Sequence, residues 1–299
     1  MIAVDWGTSQ LRAYRLDAQG NAVESRERPE GILSVPAGGF PAVLDAITAG
    51  WEKDADGVLM SGMVGSRQGW LEVPYVDCPA DLRAIAKGVR PVEWRKGSQA
   101  LICPGLTCRD TEGVPDVMRG EEVQVMGALA LNANEGIGSI IMAGTHSKHV
   151  RVEGETIAGF ATHMTGEVFA VLKAHSILGR MMEEAKGPGD ASVFAAGVKR
   201  AGEGSASEGG LLHHLFGVRT RVLLGDMPGT AAADYLSGLL IGHTIYAAKP
   251  KAPVLVIGAP AVAERYVAAC GLLEIPARTL TSEQVTLAGL SALRPHLGG

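Results

Sequence analysis

Ile2-Ala3-Val4-Asp5-Trp6-Gly7-Thr8-Ser9 is an apolar run that carries one carboxylate and breaks at a glycine followed by two hydroxyl residues. Gln10-Leu11-Arg12-Ala13-Tyr14-Arg15-Leu16 resumes as strand, so the stretch reads as a β-hairpin. Gly7 is expected to take the positive φ that aims successive backbone N–H groups at one point, and Thr8 and Ser9 add hydroxyls. Such a turn suits an anion such as phosphate. Asp5, just before the turn, is placed to hold Mg2+ directly or through water. A tight hairpin with a surface aspartate would leave the same short pattern.

A second copy strengthens the phosphate reading. Ser139-Ile140-Ile141-Met142-Ala143-Gly144-Thr145-His146-Ser147-Lys148 again runs from apolar strand to Gly-Thr turn, and His149-Val150-Arg151-Val152 continues as an alternating strand. The position matching Asp5 is Met142 or Ala143, so a metal carboxylate belongs to the first hairpin. This duplication resembles the actin-like ATPase and sugar-kinase superfamily, in which one hairpin from each lobe grips the nucleotide phosphates. The resemblance implies an α/β fold of two actin-like, ribonuclease H-like lobes. Each lobe would be a mixed β-sheet flanked by helices, with the active site in the interlobe cleft. It also implies ATP contacts at Gly7, Thr8, Ser9, Gly144, Thr145, His146 and Lys148.

Length and composition agree with this. At 299 residues the chain has room for two lobes of about 100–150 residues each. A first lobe over 1–115 and a second over 116–299 are expected, with the last helix a candidate to return to the first. A net charge of -5 gives no electrostatic case for nucleic acid or an anionic membrane, which leaves a small-molecule partner. Cys78, Cys103, Cys108 and Cys270 form no Cys-x-x-Cys pair, and no histidine spacing completes a zinc site. Four reduced thiols in a cytoplasmic protein are expected, and a homodimer is allowed. The chain enters a strand at once, without a basic region and hydrophobic core that would read as a secretory signal. The longest apolar run, Leu236 to Ala248, is broken by Gly242 and His243 and falls short of the ~20 residues of a membrane span. It reads as a buried helix.

Along the chain, Asn21–Arg28 reads as a third strand, and a helix follows Gly38-Gly39 to near Gly50. Residues Asp56 to Gly65 read as an apolar strand ending in small residues, the kind of strand end where open α/β sheets place ligands. Ser66-Arg67-Gln68-Gly69-Trp70 and Tyr75 follow. Arg67 could pair with a carboxylate, while Gln68, Trp70 and Tyr75 could bind hydroxyls and faces of a sugar-like chain. A surface loop around a packed tryptophan is the competing reading. Asp-Trp-Gly-Thr-Ser with Arg12, Ser61-Gly62-Met63 through Trp70, Arg-Gly-Glu-Glu at 119–122, Gly-Thr-His-Ser-Lys at 144–148 and Met-Thr-Gly-Glu at 164–167 together resemble the 2-dehydro-3-deoxygalactonokinase family. The match runs nearly the whole chain in order. It implies an acceptor site at Arg12, Ser61, Gly62, Met63, Arg67, Gln68, Trp70 and Tyr75.

Pro115 to Glu122 leads into a helix through about Leu131, and its acidic start suits the helix dipole. Related sugar kinases carry their catalytic carboxylate shortly before the second phosphate hairpin, which makes Asp116, Glu121 and Glu122 the candidates. Similarity to the helix start of exopolyphosphatases favours Glu121. His163 and His175 sit at element ends, where capping or core-edge roles are commoner than ligation. His213 and His214 lie about 100° apart on one helix and cannot share a metal. Gly202–Gly210 is the most loop-like segment, though too short and internal for a domain linker. A strand from Val254 ends at Gly258-Ala259, where the superfamily turn lies against adenosine; Ala259 replaces its second glycine. Gly289, in the last helix (Ser282–Leu293), resembles the small residue at an interlobe hinge, and packing alone would also explain it.

Phosphoryl transfer needs held phosphates, a metal, a base and exclusion of water, and each has a candidate here. The resemblance implies ATP- and Mg2+-dependent phosphorylation of 2-dehydro-3-deoxy-D-galactonate to its 6-phosphate, in D-galactonate breakdown. A kinase of another sugar acid, a phosphohydrolase using water, and a non-catalytic nucleotide-gated binding protein are the competitors.

Overall fold

β1 (Ile2–Trp6) is buried at every position but Asp5, and β2 (Leu11–Leu16) at every position but Arg12 and Arg15. Val4, Trp6, Leu11 and Ala13 are buried, while Asp5 and Arg12 face the other way as a cross-strand pair. In the computed structural model, residues 1–51, 57–132, 135–184, 187, 189–202 and 210–297 are described. The loop expected over Gly202–Gly210 falls largely outside them, as does Asp56 of the expected fourth strand.

The chain forms two units. Unit 1 comprises Met1–Gly136, Val152–Phe160 and Thr281–Gly299, and unit 2 comprises Ile137–Arg151 and Ala161–Leu280. Unit 1 begins with β1 and β2 and continues with β3 (Ala22–Arg28), α1 (Phe40–Thr48), β4 (Val58–Ser61), β5 (Val76–Asp77), α2 (Leu82–Gly88), β6 (Arg90–Arg95) and β7 (Ser98–Ile102). After these come β8 (Leu106–Arg109), β9 (Pro115–Met118) and α3 (Glu121–Leu131). Its main sheet has the order β3-β2-β1-β4-β7-β6, with β1, β4 and β7 parallel, and a smaller sheet has the order β5-β8-β9. Beneath the main sheet Trp6 packs edge-on against Phe40, and its indole nitrogen donates to the Glu30 carbonyl at 2.9 Å.

Two differences from the sequence reading have clear causes. The apolar segment from Val58 stops pairing at Ser61, because Gly62 turns the chain at a φ of 95°. Pro115–Met118 is a strand rather than a helix approach, since it pairs antiparallel with β8.

The second sheet repeats the first hairpin's logic. β10 (Ser139–Ala143) pairs antiparallel with β11 (Ser147–Glu153) and parallel with a later strand, as β1 does with β2 and β4. β12 (Thr156–His163), α4 (Thr165–His175), α5 (Ala191–Gly202), α6 (Gly210–Leu223) and α7 (Ala232–Ala248) follow, then β13 (Val254–Gly258), α8 (Pro260–Leu272) and β14 (Ala277–Leu280). The sheet order is β12-β11-β10-β13-β14. α7 is apolar on all sides and buried along most of its length, as expected for a core helix. Among the described residues no helix is long and apolar enough to cross a membrane.

Segments 116–136 and 152–160 group with unit 1, against an expected boundary at residue 115, and so does 281–299, whose helix was the candidate to return. Ile157 exchanges backbone hydrogen bonds with Ala80. α9 (Ser282–Leu293) packs on α3 so closely that a Cβ on Gly289 would overlap the Val123 carbonyl, and one on Gly127 the Val285 carbonyl. Gly289→Ala should therefore lower unfolding stability by about 1–3 kcal/mol. Gly271→Ala on α8, where a methyl meets nothing within 4 Å, should be neutral or stabilising by up to ~1 kcal/mol. Chemical unfolding of the two variants beside the parent checks this pair.

Candidate active site

Unit 1 gathers its carboxylates where two backbone turns touch. Asp5 pairs in register with Ser61 of β4, and the next residue, Gly62, lies against the Trp6 carbonyl. A Cβ there would come within 2.8 Å of that oxygen and 3.3 Å of Asp5 Oδ1. On the far side sits Gly120, also left-handed at a φ of 98°, where a Cβ would be 3.1 Å from Gly62 Cα. Two glycines in series thus bring the start of α3 to the end of β1.

α3 has no side-chain cap at Gly120. Instead, Glu121 Oε2 accepts from the Arg119 amide at 3.0 Å and Glu122 Oε2 from the Gly120 amide at 2.7 Å. Burial raises the Asp5 carboxyl above its ordinary range, with Arg12 opposing the rise and the charge of Glu121 adding to it. Glu122 is fully buried; burial pushes its carboxyl up to about 8, and the Glu121 charge adds to the shift. Asp116 is on β9 opposite Cys108, where its Oδ1 accepts from the Val117 amide at 2.7 Å.

The acceptor block divides into two kinds of residue. Arg67 and Gln68 are exposed, and Tyr75 is 42% exposed. Trp70 stacks on Phe40 at 6.0 Å between ring centroids, and Met63 packs against the core, so both support the loop from below. Ser61 is buried, its hydroxyl on the Val4 carbonyl at 3.4 Å. Arg12 is held by Gln10 at 2.6 Å and by Glu27 at 3.0 Å. The sequence reading gave Arg119 no role of its own, yet this buried cation ties the loop to α3. Its Nη2 donates to the Val73 carbonyl at 2.7 Å, and its guanidinium lies 4.3 Å over the Tyr75 ring. An arginine beside a Gly-Glu-Glu helix start was the available signal.

The first turn differs from its expectation. Gly7 has no left-handed φ, and its amide closes the turn on the Gln10 carbonyl at 2.9 Å rather than pointing outward. Thr8 and Ser9 remain exposed at the tip.

In unit 2, Gly144, Thr145 and His146 form the turn before β11, and Gly144 likewise lacks a left-handed φ. Ser147 Oγ donates to the Gly144 carbonyl at 3.2 Å and accepts from Tyr266 at 2.8 Å. The Thr145 carbonyl accepts the first amides of α4, from Gly166 and Glu167, and His146 bonds Glu167. Lys148 is buried beneath the turn, with its ammonium on Thr162 at 3.1 Å. Beside the turn is a cavity of about 260 Å3 whose lining includes Gly144, Ser147, Thr165, Val262, Arg265 and Tyr266. Thr165 Oγ1 is buried there without a hydrogen-bond partner, and Arg265 is anchored by Asp234 at 2.6 Å. Gly258 allows β13 to lie against the Ala143 carbonyl, and the exposed Ala259 starts α8.

Magnesium chemistry fits Asp5 better than a closed protein cage. Among the described residues no group of three or more His, Cys, Asp or Glu side chains assembles for a metal. Mg2+ commonly takes one or two carboxylates and fills its shell with water and phosphate. A half-buried carboxyl raised by burial and a neighbouring negative charge is one that a cation would stabilise in its ionised form.

His149, behind the second turn, is buried, and neither ring nitrogen has a hydrogen-bond partner. Burial, reinforced by His163, lowers it to about 3, so the folded state needs the neutral ring. Its stability contribution is present above its ordinary value of 6.5 and is lost as pH falls toward 3. His149→Leu should therefore gain on the parent in thermal unfolding as pH drops from 7 to 5; a gap that stays constant would exclude the linkage.

The 2-keto-3-deoxy-galactonokinase family matches residues 5–293 of the chain. The chain is 36% identical over 262 residues to the 2-dehydro-3-deoxygalactonokinase of Escherichia coli (strain K12), covering 86% of this chain and 85% of that protein. It is 36% identical over 299 residues to the "probable 2-dehydro-3-deoxygalactonokinase" of Rhizobium meliloti (strain 1021), covering 97% and 95%. The crystal structure of a Sinorhizobium meliloti protein named "putative 2-dehydro-3-deoxygalactonokinase" superposes with a TM-score of 0.87 at 35% identity, over 98% of this chain and 97% of that one. Component A of (R)-2-hydroxyglutaryl-CoA dehydratase from Acidaminococcus fermentans superposes at 0.50 and 12% identity, over 99% and 98%, a likeness of fold alone.

Proposed function

The chain belongs to the 2-keto-3-deoxy-galactonokinase family, and from that premise we propose that it transfers the γ-phosphoryl group of ATP to the terminal hydroxyl of 2-dehydro-3-deoxy-D-galactonate, giving the 6-phosphate and ADP. The observation that carries the chemistry is the approach of Gly120, which starts the helix bearing Glu121, to Gly62, which lies against Asp5. A hydroxyl attacking phosphorus grows more acidic as the bond forms, so an ionised carboxylate can orient it first and take its proton late. Glu121 is the candidate base, because it opens the helix that Gly120 brings against Gly62 and Asp5, while Asp116 lies on β9 opposite Cys108 and Glu122 is buried.

Asp5 would hold Mg2+, which when bound neutralises phosphate charge. The rest falls to the chain's own groups. Arg67 and Gln68, free at the tip of the loop, bind the carboxylate and hydroxyls of the sugar acid. The turn at Gly144–Ser147 takes phosphate, and the apolar cavity beside it, with Arg265 at its wall, takes the nucleoside.

Three measurements test the proposal. A coupled ADP-release assay across 2-keto-3-deoxy sugar acids should single out the galactonate compound; ADP release without acceptor would mean a phosphohydrolase, and none at all a binding protein. Asp5→Asn and Glu121→Gln should each lower kcat by about 10²–10⁴-fold, with ATP affinity nearly kept for Glu121→Gln. Arg67→Ala should raise KM for the sugar acid far more than KM for ATP, and equal effects would return the loop to a structural role.

A further inference from the structure

We propose that Glu122 is a positioning residue of the transfer reaction: its buried carboxyl group holds the Gly120 amide and so fixes the neighbouring Glu121 at the start of α3. The inference rests on Glu121 being the base. Gly120 begins α3 with no side chain to cap the helix, in a backbone conformation that few residues other than glycine adopt. Something else must hold that peptide in orientation against Gly62. Glu122 reaches back one turn edge to do so, while Glu121 accepts from the preceding amide, so two carboxyl groups grip consecutive peptides. Releasing the Glu122 grip frees the Gly120 peptide and lets Glu121 drift.

The same geometry assigns Glu122 a charge state. Its Oε1 is buried and meets no hydrogen-bond partner. The charged and titratable groups around it are Arg119 and Glu121 on its own segment and Cys103 just past β7. Arg119 opposes the upward shift, though its guanidinium is committed to Val73 and Tyr75. An ionised carboxylate with one oxygen unpartnered in the core costs more than the neutral acid. Glu122 is therefore the neutral acid at pH 7, consistent with a carboxyl raised to about 8. As an acid it steadies α3 without a second negative charge next to the base. Above pH 8 it ionises, and the repulsion reaches Glu121.

The experiment compares the parent, Glu122→Gln and Glu122→Ala in kcat, in KM for both substrates and in thermal unfolding, from pH 6 to 10. The neutral isostere Glu122→Gln should recover kcat to within about threefold and lack the parent's fall above pH 8. Glu122→Ala should lower kcat by roughly 30-fold or more, with KM for ATP unchanged, as expected for a misplaced catalytic group. The proposal is overturned if Glu122→Gln falls as far as Glu122→Ala, since an ionised carboxylate would then be required. It is equally overturned if Glu122→Ala loses unfolding stability with kcat intact, which is the signature of a cap and nothing more. Glu121→Gln assayed in parallel separates the two readings: retained kcat there removes the base assignment itself, whatever the Glu122 variants do.

Discussion

The placing of Asp5 and the start of α3 in unit 1 depends on one close approach of backbone to backbone. Gly62 and Gly120 are stacked between the end of β1 and the start of α3, and neither could carry a side chain without pushing the two apart. That contact sets Asp5 within electrostatic reach of Glu121. Steric exclusion by carbonyl oxygens, rather than attraction between charges, fixes the spacing. Charge works against the approach, since like charges repel and Asp5 is raised partly for that reason.

The loop over Ser66–Tyr75 is tied to this frame by a cation rather than by apolar packing alone. Arg119 spends one nitrogen on Val73 and its flat face on Tyr75, and it lies one residue from Gly120. A shift of the loop therefore pulls on the peptide that begins α3. Trp70 sits on the opposite side of the loop, stacked on Phe40 in the core. Arg67 and Gln68, just ahead of these anchors in the chain, are left to solvent.

Much of this frame was legible from residues alone, for reasons that can be named. Both hairpins were visible because an apolar strand, a Gly-Thr turn and a returning strand recur at Asp5 and at Met142 with the same spacing to glycine. The ladders add a point the spacing hid: Arg12 lies opposite Asp5 and Lys148 opposite Met142, so each hairpin sets a cation at the same place. Gly7 was misjudged because a turn of four residues can close through its own amide, and glycine does not announce which φ it takes. Two glycines that do use left-handed backbone gave no sign of it, Gly62 among the small residues that end a strand and Gly120 between an arginine and two glutamates. The β8–β9 pairing escaped because Pro115–Met118 is too short for a period to emerge. The return of the last helix to the first unit was anticipated, whereas the placement of 116–136 and 152–160 with unit 1 escaped, because contacts such as that of α3 with α9 across more than 150 residues of sequence leave no local pattern.

Unit 1 is assembled from three separate stretches of chain, the last beginning at Thr281. A protein made on the ribosome emerges from its amino end at about 5–20 residues per second. The strands of the first sheet and α3 are thus synthesised well before α9, which covers Gly127. Through that interval the face of α3 that will receive Gly289 has no permanent partner, while the residues of unit 2, complete at Leu280, are all available to one another. The half of the molecule written first is the half finished last, and during translation its unsheathed helix face is where a chaperone would have cause to bind.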